Sequence, residues 1–282
     1  MSKIIALVDG STYSESVCDY AAWVATRKGS SVEVLHVLGR REGVQSNLSG
    51  NIGLGARSKL MEELAELDMA KAKLAQKRGR AILEDAEARL RADGVETVTT
   101  RLRHGDLVEE ATAAEEGADL IVIGKRGEGA DFAKGHLGSN LERVVRASRI
   151  PVLVASRAFK PVERFLIAYD GSPAAMRAVD HIARSDVFGG LEACLLTVGE
   201  EEAKARRALE GAEAMLKGAG YAVSSQIARG NPKTVIAEQV KAQGADLLMM
   251  GAYSASRLRS LIIGSTTSEM IRGCQVPILL FR

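Results

Sequence analysis

The chain has little cysteine. Its three residues of that type, Cys18, Cys194 and Cys274, are an odd number without C-x-x-C spacing, which excludes a disulfide framework and a thiolate zinc site and leaves buried or incidental thiols. It also lacks an excess of either charge. Lys+Arg 38 against Asp+Glu 36 gives a formal net charge of +2, so nothing in the balance points to nucleic acid or an anionic membrane as a partner. Long apolar runs are missing too. The first, residues 4–8, is too short for a signal sequence and meets Asp9 at once, and no later run approaches the roughly 18 residues of a spanning helix; the expectation is a cytoplasmic protein. There is no G-x-x-x-x-G-K-[ST], no G-x-S-x-G and no cysteine with an evident histidine and carboxylate partner, so no catalytic residue is assigned. His36, His104, His136 and His181 show no spacing that converges on a metal, and no metal ligand is assigned.

What the chain does have is an internal repeat. Its 282 residues and 46% hydrophobic content suffice for a sizeable core and favour two domains. KIIALVDGS at residues 3–11 returns as RFLIAYDGS at 164–172, and each is followed by a helix-like segment, 14–28 and 173–185. The order then holds: 32–38 answers to 191–198, 98–103 to 224–229, and Gly117-Ala118-Asp119-Leu120 to Gly244-Ala245-Asp246-Leu247. Gly138-Ser139 through Pro151 matches Gly264-Ser265 through Pro277. The reading is two copies of one domain, residues 1–156 and 163–282, joined by a linker at 157–162 that carries Pro161.

Within each copy, short apolar and β-branched runs alternate with helical patterns, the pattern of a parallel sheet covered on both faces. Five strands per copy are expected, the last beginning at Pro151 and at Pro277, because proline is tolerated at a strand start. The copies differ after the second strand. The first inserts a Gly, Ser and Asn-rich stretch at 39–55 and a long segment at about 56–92. There Leu60, Leu64, Leu67, Leu74, Ile82, Leu83 and Leu90 keep a broadly helical period, with Gly79 as a candidate break. The second copy has only a shorter helix at about 201–217, so the first has more material to cover a site.

Two loops carry the chemistry. The fourth strand of each copy ends at a glycine, Gly124 or Gly251, and a second Gly-Ser, at 138–139 or 264–265, opens an amphipathic helix. Such a turn gathers backbone N–H groups at the positive end of a helix dipole and suits a phosphate. In an open doubly wound sheet, ligands bind at the carboxyl ends of the strands where strand order reverses. With the first strand beside the fourth, that crevice is flanked by Asp9 and Gly124 in one copy and by Asp170 and Gly251 in the other. Each aspartate either accepts a hydrogen bond from a ribose hydroxyl or exocyclic amine, or belongs to a plain strand-ending turn with Ser11 or Ser172 as a helix cap. Lys125, Arg126, Lys134, Arg257 and Arg259 either neutralise phosphates or are solvated surface. Asp106 and Asn231-Pro232 read as caps of the helix after the third strand.

Both copies resemble universal stress protein domains, and the chain is similar to tandem members of that family over nearly all its length. The family's nucleotide-binding members carry G-x2-G-x9-G-[S/T] after the fourth strand. The first copy has Gly124, Gly127 and Gly138-Ser139 with ten residues in the long gap; the second has Gly251 and Gly264-Ser265 at the family spacing with Ser254 in place of the middle glycine. The resemblance implies phosphate contacts at Gly124, Gly127, Gly138, Ser139 and Asn140, and at Gly251, Gly264, Ser265 and Thr266. It implies that Asp9 and Asp170 lie near the adenosine and that Val37 and Val198 meet the adenine edge through their backbone. It further implies Rossmann-like α/β domains paired as an intramolecular pseudo-dimer through their last strands, a form that can dimerise again.

The expected function is binding of an adenine nucleotide, ATP with AMP or ADP as alternatives and Mg²⁺ accompanying the phosphates, coupled to a stress or regulatory response through an unidentified protein partner. The alternatives are a nucleotide-free scaffold or dimerisation module, with the long helix of the first copy as its surface, and a slow ATP hydrolase.

Overall fold

The computed structural model describes residues 2–39, 54–127, 139–252 and 265–282. The chain runs β1 (Lys3–Leu7), α1 (Ser14–Lys28), β2 (Ser31–Gly39), α2 (Leu54–Ala92), β3 (Val98–Gly105), α3 (Leu107–Ala114), β4 (Ala118–Gly124), α4 (Ser139–Ala147) and β5 (Val152–Ala155). It repeats as β6 (Arg164–Ala168), α5 (Pro173–Ala183), a short 3-10 turn at Asp186–Phe188, β7 (Glu192–Val198), α6 (Ala203–Gly218), β8 (Ala222–Ala228), α7 (Pro232–Ala242), β9 (Leu247–Gly251), α8 (Ser265–Gly273) and β10 (Ile278–Phe281). The ten strands form one sheet in the order β3-β2-β1-β4-β5-β10-β9-β6-β7-β8. All pairings are parallel except the central one, β5 against β10, where Leu153 faces Leu279.

Alternation along the strands builds two cores. Ile4 and Ala6 face one side with α1, α2, α5 and α6, while Ile5 and Leu7 face the other with α3, α4, α7 and α8. Strands buried on both faces read as continuous apolar runs, which is why the sequence shows them plainly. Pro151 and Pro277 stand just before β5 and β10. Each lacks an N–H, yet each carbonyl accepts from the adjoining strand, from Ile121 and Leu248, both at 3.1 Å.

The long segment of the first half is one continuous helix. Gly79 does not break it; it lets α2 lie close on the sheet, since a Cβ there would meet Leu102 at 2.8 Å and His36 at 3.0 Å. At 39 residues, α2 is about 58 Å long at 1.5 Å per residue. Among its described side chains the later turns are core, through Leu83, Ala86 and Leu90. Leu67 and Leu74, which keep the helical period, are exposed, as are Met61 and Met69. The other helix ends follow local chemistry. Asp106 Oδ1 accepts from the N–H groups of Val108 and Glu109 to cap α3, and Asn231 caps α7, which begins at Pro232. Gly29 ends α1 at φ 65°, a left-handed position that glycine holds without strain.

Candidate functional site: two crevices at the strand ends

Because β1 lies beside both β2 and β4, strand order reverses at β1, and in the second half at β6. At each reversal the chain leaves the strand through the same turn. Asp9 Oδ1 accepts from the N–H of Ser11 at 2.9 Å, and Asp170 Oδ1 accepts from the N–H of Ser172 at 2.9 Å. Gly10 and Gly171, at φ 77° and 72°, turn the chain between them. The serines then diverge. Ser172 caps α5 by accepting from the N–H of Ala175 at 3.2 Å, whereas in the first half Ser14 Oγ accepts from the N–H groups of Asp9 and Gly10. The cap reading thus holds for Ser172 but not for Ser11, because α1 starts further along the chain with Tyr13 at its N-cap and no side-chain cap bond; in both halves one carboxylate oxygen of the aspartate makes the turn.

In the first half the second oxygen of Asp9 lies against Gly127: a Cβ there would stand 2.7 Å from Asp9 Oδ2 and would have to displace the carboxylate. α2 roofs the same corner: a Cβ on Gly10 would meet Ile82 at 2.7 Å, with the Arg78 guanidinium 3.9 Å away. In the second half nothing among the described residues lies within 4 Å of the Cβ position of Gly171. Gly124 and Gly251, read as phosphate contacts, have a packing reason as well. Their missing Cβ atoms admit the start of the helix after the first strand, Tyr13 at 2.7 Å and Ala174 at 3.0 Å.

The neighbouring strand contributes backbone. Val8 N–H donates to Leu35 O at 3.1 Å and Tyr169 N–H to Leu196 O at 2.8 Å. Backbone polar groups alternate sides along a strand, so those of Val37 and Val198 point the same way, one step beyond the end of β1 and β6. At the helix starts, Ser139 and Ser265 are the first residues of α4 and α8, with Asn140 and Thr266 next; Asn140 Oδ1 accepts from Arg143 at 3.4 Å. Gly138 and Gly264, together with Ser254, Lys134, His136, Arg257 and Arg259, lie outside the described residues.

Three features were not read from the sequence. His36 Nδ1 bonds the carbonyl of Val8 at 2.8 Å, and Thr197 Oγ1 donates to the carbonyl of Tyr169 at 2.9 Å. Both hold the carbonyl just ahead of the aspartate, so two unlike residues do one job; their matching place in the repeat was the available signal. Thr267, buried, donates to Gly251 O at 3.2 Å and ties α8 to the end of β9. Lys125, read as a phosphate or surface residue, is half-buried, and its Nζ donates to Cys274 O at 2.6 Å, just past the C-terminus of α8. There it complements the helix dipole, and burial pulls its pKa below the usual lysine range. The three cysteines are free and buried, and burial with Asp19 nearby pushes the Cys18 thiol up to about 12, as inert as the sequence reading had it.

Among the described residues no cluster of three His, Cys, Asp or Glu side chains could hold a metal ion, and no helix is long and apolar enough to cross a membrane.

The comparisons with known proteins agree with this architecture. The universal stress protein family matches residues 1–156 and 190–282. Universal stress protein Slr1230 of Synechocystis sp. is 36% identical over 287 residues, spanning 100% of both chains. Universal stress protein YxiE of Bacillus subtilis is 28% identical over 155 residues, 54% of this chain and 97% of that one. The crystal structure of a universal stress protein from Archaeoglobus fulgidus covers 99% of this chain and 96% of its own with a TM-score of 0.74 at 24% identity, a likeness of fold. With two family matches in one chain and a full-length relative built alike, the protein belongs to the universal stress protein family, in tandem form.

Proposed function

We propose that the chain binds an adenine nucleotide, ATP in preference to AMP or ADP, in the crevice of its first half, and that occupancy regulates what the protein shows to a partner. The observation that carries this is the corner where the Asp9 carboxylate, the Gly127 backbone and the roof formed by α2 converge at a reversal of strand order. Enclosure favours a small ligand, and among the described residues of the second half, with the same aspartate turn, no helix covers Gly171 in this way. In this reading Asp9 holds the ribose or adenine, Val37 offers backbone to the base, and Gly124, Gly127, Gly138, Ser139 and Asn140 cradle phosphate. Asp170, Val198, Gly251, Gly264, Ser265 and Thr266 form a second, more open cradle. Mg²⁺ would be carried by the phosphates. The two domains, residues 1–156 and 163–282, act as a pseudo-dimer in the cytoplasm.

The test is calorimetric titration of the full chain with ATP and Mg²⁺. Saturable binding that AMP competes for and that Gly127→Val weakens tenfold or more is expected; no binding, or binding indifferent to Gly127→Val, would overturn the proposal.

A second reading, a scaffold, has one observation behind it. The early turns of α2 expose Met61, Leu67, Met69 and Leu74, and large exposed apolar side chains gathered on one element mark interaction surfaces.

A further inference from the structure

Away from both crevices, a cleft of about 390 Å³ opens beside the central β5–β10 pair. It is lined by Lys28 from the end of α1, Arg149, Ile150 and Pro151 ahead of β5, Arg177, Asp180, His181 and Arg184 from α5 and its end, and Phe281 and Arg282. Asp170, Val198, Gly251 and Ser265 do not line it. A chain whose formal net charge is only +2 thus places five cationic side chains around one hollow, against Asp180 and Asp186.

The repeat supplies a control for how unusual this is. Gly29 and Gly190, both at positive φ, and the pairings Ile5 with Glu33 and Leu166 with Cys194 fix the register between halves. In that register Lys28, Arg177 and Arg184 correspond to Gly189, Ser16 and Trp23, and Arg149 corresponds to Gln275. None of the four counterparts is charged. At the matching place beside α1 the space is filled: Phe159 packs edge-on against Tyr20 at 4.9 Å, and Tyr20 OH bonds Ser156 Oγ at 3.0 Å. His181 stands where Tyr20 does. One of two equivalent positions is therefore plugged and neutral, and the other is hollow and basic.

All five cations are solvent-exposed, and polar partners engage several of them. Arg184 pairs with Asp180 at 2.8 Å, Lys28 with Asp119 at 2.5 Å, and Arg177 Nε donates to the main-chain oxygen of Arg282. The backbone N–H of Arg149 donates to the Glu115 carboxylate at 3.2 Å, and among the described residues no carboxylate pairs with its guanidinium. Guanidinium groups gathered around a hollow suit the planar, bidentate recognition of phosphate oxygens, and the volume falls within the range of small-ligand sites.

We propose that this cleft is a second anion site, for a compact polyanion bearing adjacent phosphates, separate from the nucleotide crevices. The probe is inorganic tripolyphosphate, titrated into the full chain by calorimetry at low and moderate salt. One equivalent should bind, weaken as salt rises, and raise the thermal midpoint of the protein. The variant is the double substitution Arg149→Gln with Arg177→Ser, which installs the residues that already occupy the equivalent positions in the other copy. It should weaken binding at least tenfold and abolish the thermal shift, while Gly127→Val leaves both intact. Arg149→Gln alone, should the double variant unfold early, is expected to weaken binding severalfold. Absence of saturable binding to the wild type, equal binding by the variants, or an equal loss in Gly127→Val would each overturn the proposal; the last would assign the anion to the nucleotide crevice.

Discussion

The two halves end their first strands in the same turn and cover it differently. At Asp9 the turn sits under α2, with Ile82 against Gly10 and the carboxylate against Gly127; at Asp170 the same turn, with the same hydrogen bond, has no described residue against Gly171. The halves thus share the local turn, while the longer α2 of the first changes what packs around it, Asp9 being half-buried and Asp170 exposed. A ligand site is decided by both, so equal motifs need not mean equal occupancy.

The sharpest way to break the comparison is at the paired glycines. Gly171→Ala meets only the backbone penalty of its left-handed φ, about 1–2 kcal/mol. Gly10→Ala meets that penalty and a forced shift of Ile82, about 1–3 kcal/mol more. Urea unfolding of the two variants should therefore differ, with Gly10→Ala the less stable; equal losses would mean that α2 is not seated on the turn.

The next effect concerns the clamps. His36→Leu and Thr197→Val each leave a carbonyl, of Val8 or Tyr169, without its side-chain partner, at a cost of about 1–3 kcal/mol. Each should also loosen the aspartate turn in its own half alone, read as faster amide exchange at Ser11 or Ser172. Loss of protection in both halves from one substitution would show that the turns are coupled rather than independent.

The smallest effect is a pH dependence found in one half. Burial, then the charge of Lys28, holds His181 below the usual histidine pKa, only partly offset by Asp119 and Asp180. The unfolded chain takes up its proton near pH 6.5 and the folded chain only at lower pH, so the unfolded state binds more protons in between. Stability is then full above about pH 6.5 and falls as pH drops toward the folded value. His181→Phe should flatten that part of the stability curve in urea unfolding at pH 7.5 and 5.5, whereas the equivalent Tyr20 contributes nothing there.

Much of this was legible in the sequence. Two-sided burial made the strands read as apolar runs, the repeat fixed five strands per copy, and glycine and aspartate marked the strand ends. What escaped depends on distant contacts that leave no local period. Gly79 looked like a break because its use, close approach to His36 and Leu102, is visible only across the sheet. Lys125 looked like a loop cation because its partner, Cys274 O, lies 149 residues on. Leu67 and Leu74 kept a helical period that no sheet face covers, because α2 outruns the two strands it packs on. At the strand ends, the sequence marked the turns at Asp9 and Asp170 but not the histidine and threonine that fix the carbonyls before them, since unlike residues at one position hide a shared role.

The central claim, that the roofed half holds the nucleotide, is tested most directly by ATP stoichiometry in wild type, Asp9→Ala and Asp170→Ala, measured by equilibrium dialysis with Mg²⁺ present. The account predicts about one ATP per chain in the wild type, lost in Asp9→Ala and retained in Asp170→Ala. Retention in Asp9→Ala with loss in Asp170→Ala would place the nucleotide in the open half and contradict it.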